Sequence, residues 1–106
     1  SILFTFEDGS IGTVNYFTNG PKSFPKEKIE IFSNGAVLQL NNFKSLKGFA
    51  WKGFNKYNLW QQDKGHIGSV KSFVNSIKSR KMPIPFDDLV EVSRIAINIA
   101  ESIESK

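Results

Sequence analysis

Hydrophobic residues in the first half of the chain fall at every second position, and in the second half at every third or fourth. Ile2, Phe4 and Phe6 alternate with Leu3, Thr5 and Glu7, and Asp8-Gly9 closes the run with a turn signal. Strand-like sequence resumes from Gly12 to Thr18, so the two runs predict a hairpin closed by EDGSI. The loop NGPKSFP follows, and its prolines exclude a central strand there. Ile29 and Ile31 alternate with Lys28, Glu30 and Phe32, then Asn34-Gly35 turns the chain into Ala36, Leu38 and Leu40. Asn-Gly between two alternating runs is the strongest short-range hairpin signal. Phe43–Phe49 predicts a further strand with weaker alternation.

The period then changes. Ile67, Val70, Phe73, Val74 and Ile77 recur at helical spacing, with Asp63 as the expected N-cap. The run stops before Met82-Pro83-Ile84-Pro85. A second helix is predicted from Asp87, as N-cap, to Ser105, with Asp88 and Glu91 suited to its first turn. Its stripe of Leu89, Val92, Ala96, Ile99, Ala100 and Ile103 is widened by Val90, Ile95 and Ile97. Strands first and helices last predict an α+β fold: one predominantly antiparallel sheet with the C-terminal helices packed on one face. Phe4, Phe6, Tyr16, Phe17, Ile29, Ile31, Phe32 and Leu38 cannot all face those helices, because alternate strand residues point opposite ways. Phe4, Phe6, Tyr16, Phe17, Ile29 and Ile31 are therefore expected at an interface, most simply between two copies of the chain.

The 106 residues suit one domain, and a 40% hydrophobic content is ordinary for a globular chain. There is no cysteine, hence no disulfide framework. The formal charge of +4 is a mild excess, and no nucleic-acid partner is expected from it. No apolar run is long enough to span a bilayer and no signal peptide is visible, so no membrane partner and a cytoplasmic location are expected. The chain opens directly in strand-like sequence without methionine, which suggests that Ser1 is not the start of a gene product.

Chemistry-bearing motifs are sparse. There is no G-x-G-x-x-G and no G-x-x-x-x-G-K-[ST], so no nucleotide cofactor should be bound by this chain. Asp63 and His66 lie three residues apart, but two ligands do not make a metal site. His66, the only histidine, and the neighbouring Lys64 are read as structural or substrate-side residues rather than an acid–base pair. The adjacent Asp87 and Asp88 diverge on a helix and suit capping. Lys52, Phe54, Lys56, Tyr57 and Trp60 could stack on a base or sugar, or cover a neighbouring domain.

Four segments taken together, EDGSIGTVNYFTNG, PKEKIEIFSNGAVLQLNNFKSL, DKGHIGSVKSFVNSI and PIPFDDLVEVSRIAINIAESI, resemble the C-terminal domain of the Gfo/Idh/MocA family of NAD(P)-dependent oxidoreductases. The likeness is to members acting on sugars and nucleotide sugars in surface polysaccharide synthesis, and it runs from Phe4 to Ser105. It implies the substrate-binding and oligomerisation part of a two-domain enzyme. The Rossmann domain, its NAD or NADP site and the catalytic lysine would lie upstream, and the chain would not be catalytic by itself. His66 falls in a Lys-Gly-His motif that does not match the family's catalytic histidine. Dimerisation through the sheet is likewise implied. The alternative is a standalone structural or interaction domain that pairs through an exposed sheet face.

Overall fold

A computed structural model describes residues 1–104, and the predicted end of the last helix at Ser105 lies outside them. The elements run β1 (Ile2–Thr5), β2 (Ile11–Val14), β3 (Lys28–Ser33), β4 (Ala36–Asn41), β5 (Ser45–Phe49), β6 (Lys56–Asn58), α1 (His66–Ser79) and α2 (Phe86–Glu104). The α+β class is therefore as expected. The chain divides into two compact units, Ser1–Gln62 with the strands and Asp63–Lys106 with the helices.

The strands form two antiparallel sheets, not one: β1-β2, and β3-β4-β5-β6 in sequence order. Between them lies the Asn19–Pro25 loop, whose two prolines lack the N–H that a continuing ladder needs. In the first hairpin the Phe6 N–H donates to Ser10 O at 2.9 Å, and Gly9, at φ 84°, makes the turn. β2 is shorter than the predicted Gly12–Thr18. Ile2 pairs with Val14, so residues 15–18 find no partner on β1.

The second hairpin turns where the Asn-Gly signal placed it. Asn34 (φ 49°) and Gly35 (φ 77°) both take left-handed backbone, which the tight two-residue turn between the paired Ser33 and Ala36 requires. Asn42 (φ 53°) and Phe43 (φ 49°) turn β4 into β5, so that strand begins at Ser45 rather than Phe43. Gln62 fastens this turn from 20 residues away, its Nε2 donating to Asn42 O and Oδ1, each at 2.9 Å.

Asp63 is not the cap of α1. Its Oδ1 accepts the Gly65 N–H at 2.8 Å, and Gly65, at φ 79°, is the cap with no side-chain bond to the helix. The left-handed Gly65 delays the helix to His66, so Asp63 lies two residues short of the cap position although it accepts an N–H as a cap would. α1 ends at Ser79, and the left-handed cap residue Arg80 (φ 54°) lets the Lys81 N–H turn back to donate to Ser76 O at 3.3 Å. α2 begins one residue earlier than expected. The Pro85 carbonyl accepts the Leu89 N–H at 3.3 Å, so Phe86 is already helical, and Asp87 and Asp88 sit inside the first turn, where their charge favours the helix dipole.

Candidate functional site

Antiparallel partners project on the same side of a sheet, so the register of β3–β6 sorts its residues into two faces. On one face Ile29, Leu40, Leu46 and Tyr57 form a row across all four strands, and Ile31 and Leu38 start a second row ending at Gly48. This face is apolar except for Ser33, which pairs with Ala36 at the turn. On the reverse, Lys28, Asn41, Ser45 and Asn58 form one row and Glu30, Gln39, Lys47 and Lys56 the next; Phe32, Val37 and Phe49 close that face at the β3–β4 turn end.

The polar rows are wired together. Lys28 Nζ lies 2.9 Å from Glu30 Oε1, and Gln39 Nε2 donates to the same oxygen at 2.7 Å. Asn41 Nδ2 donates to Gln39 Oε1 at 3.2 Å, and Ser45 Oγ to Asn58 Oδ1 at 2.7 Å. The Lys28 hydrogen bond, followed by that of Gln39, holds the Glu30 carboxyl below its ordinary range.

The apolar face has no second layer within its own unit, and no described residue is buried. Ile29 and Ile31 remain 46% and 50% exposed. The row of Gly48 is completed by Phe54 from the β5–β6 loop, where Ala50 (φ 51°) and Gly53 (φ 79°) fold the chain back. Phe54 and Trp51 are half-buried there, whereas Trp60 is 92% exposed.

Of the expected interface residues, Ile29 and Ile31 thus share a face with Leu38, while Phe32 lies on the other. Phe4 and Phe6 share one side of the β1-β2 hairpin and lean over Gly12, whose Cβ position lies 3.6 Å from the Phe6 ring and 4.0 Å from Phe4 Cβ. Tyr16 and Phe17, expected in a strand, stand outside regular structure at 85% and 78% exposure. His66 opens α1, and its carbonyl accepts the Ser69 hydroxyl at 3.1 Å; Lys64 precedes it in the turn made by Asp63 and Gly65. No group of three or more potential metal ligands occurs among the described residues. No helix among them is long and apolar enough to cross a membrane.

Sequence reasoning singled out Ile29 and Ile31 but missed Leu40 and Leu46 as their partners, and missed the polar ladder entirely. The alternation was visible strand by strand; the register that aligns the strands was not. No family model, curated protein or solved structure matches the chain.

Proposed function

We propose that the chain is the C-terminal substrate-binding and oligomerisation part of an NAD(P)-dependent sugar or nucleotide-sugar oxidoreductase, and that it is not catalytic by itself. The resemblance of its four segments supports the enzyme class. The observation that carries the association half is the one-sided sheet, with Ile29, Leu40, Leu46 and Tyr57 in register on one face and a hydrogen-bonded polar ladder on the other. Alternation of that kind is how an antiparallel sheet offers one face to a packing partner and the other to water or ligand. His66 and Lys64 stand at the entry to α1 as positioning residues.

The reading frame upstream of Ser1 tests the enzyme half. A G-x-G-x-x-G followed by a Glu-Lys-Pro motif is the expected result; a frame encoding neither would favour a standalone domain that pairs through the same sheet face. Calorimetry on this chain supplies a second test. No heat of binding with NAD or NADP is expected, and a micromolar affinity for either would contradict the assignment of the nucleotide site to the upstream domain.

A further inference from the structure

Lys47 and Lys56 are direct cross-strand partners on the polar face. Like charges opposite each other in a ladder are destabilising, and such pairs call for a reason. Lysine on an edge strand discourages edge-to-edge aggregation, which accounts for Lys56 on β6. It does not account for Lys47, because β5 is an inner strand. Nor is the charge neutralised within the sheet. The neighbour of Lys47 on β4 is the neutral Gln39, and Glu30 lies a further strand away, about 9.6 Å from β5 at ordinary strand spacing, already bonded to Lys28 and Gln39.

The sequence sharpens this. Residues 31–62 contain Lys44, Lys47, Lys52 and Lys56 and not one Asp or Glu. Removing those four from the 14 basic residues leaves ten, against ten acidic ones, so the whole net charge of +4 resides in this stretch. Asn58 lies two residues from Lys56 on the same face. Its Oδ1 is occupied by Ser45 Oγ, which turns its Nδ2 toward other acceptors.

We propose that Lys47, Lys56 and the Asn58 amide form a binding site for a compact terminal diphosphate group such as pyrophosphate, and not for the internal diphosphate diester of a dinucleotide, which carries only one charge per phosphorus. Two ammonium groups on adjacent strands suit two phosphoryl groups joined by one bridging oxygen, and bound anion would relieve the repulsion between the lysines. A nucleic-acid strand would need a basic track, whereas the rest of this face holds Lys28 engaged by Glu30 and an apolar row at its end. The site does not rest on the oxidoreductase reading.

The test is calorimetric titration of the whole chain with inorganic pyrophosphate at about 20 mM ionic strength, where screening is weak. Binding is expected to weaken about tenfold in Lys47→Gln and again in Lys56→Gln, the loss of one charge-assisted hydrogen bond each, and to be unchanged in Lys71→Gln on α1. Without anion, either sheet variant should melt at a higher temperature than the parent at low salt, because opposed charges are gone; this also verifies that the variants fold. Absence of pyrophosphate binding, equal affinity in the sheet variants, or no rise in melting temperature would overturn the site. Binding of oligothymidylate that is tighter than pyrophosphate and strengthens with strand length would overturn the diphosphate assignment.

Discussion

Gly48 and Phe54 are in closer contact than any side chain at position 48 would permit. A β-carbon there would lie 2.8 Å from the Phe54 carbonyl oxygen and 2.9 Å from its Cδ1, with Trp51 Cβ at 3.0 Å. The approach is held by the Gly48 N–H, which donates to Asn55 O at 2.7 Å. Gly48 is where the loop carrying two aromatics folds onto the apolar face.

Gly48→Ala should therefore destabilise the sheet by about 1–3 kcal/mol, the usual range for overpacking, since one of the clashing atoms is backbone and cannot swing aside. A thermal melt should fall by several degrees, at roughly 4–8 °C per kcal/mol for a domain of this size. An unchanged melting temperature would mean that Phe54 does not rest on Gly48.

The turn at Asn34-Gly35 gives a second prediction. Gly35→Ala places a β-carbon on left-handed backbone at φ 77° and should cost about 1–2 kcal/mol. Asn34→Gly, by contrast, keeps the geometry and should change stability little. Chemical denaturation of both variants checks this, and equal effects would contradict the two-residue turn.

Glu30 contributes a small part of the stability lost in acid. Its carboxyl is lowered from the ordinary 4.5 by Lys28 first and Gln39 next, so the folded state binds its proton less readily than the unfolded chain does. The resulting stabilisation is present above the unfolded value and is lost as pH falls through the lowered folded value. Being exposed, it should be small and sensitive to salt. Asp8 acts with the same sign, held down by the Ser10 hydroxyl and then by its backbone N–H. Melting temperatures of the parent and Glu30→Gln should draw together as the pH falls below the ordinary 4.5; parallel curves would contradict the assignment.

The elements legible in the sequence are those that a local signal specifies alone. Asn34-Gly35 marked its turn, and the periods of Ile29–Ile31 and of Ile67–Ile77 marked strand and helix. What escaped were features made by partners distant in sequence. β2 ends where β1 can no longer pair with it, a fact of register. Asp63 looked like a cap because its side-chain oxygen suits that position, but the left-handed Gly65 delays the helix to His66. The juxtaposition of Lys47 and Lys56 depends on the length of the β5–β6 loop, which blurred aromatic sequence did not disclose. Two sheets replaced one because neither strand of the first hairpin pairs with β3–β6 across the proline-containing loop.

The account turns on which face of β3–β6 meets a partner, and Ile31 and Phe32 separate the possibilities because they are adjacent on β3 yet point opposite ways. Pairing of two such faces at about 800 Å² per partner would reach the usual size of a specific interface. Sedimentation equilibrium over a range of concentrations is the direct measurement. The account predicts a species near twice the 11.9 kDa chain mass, dissociated by Ile31→Lys or Ile29→Lys and preserved in Phe32→Lys. A monomer that persists at high concentration, or equal effects of Ile31→Lys and Phe32→Lys, would contradict it.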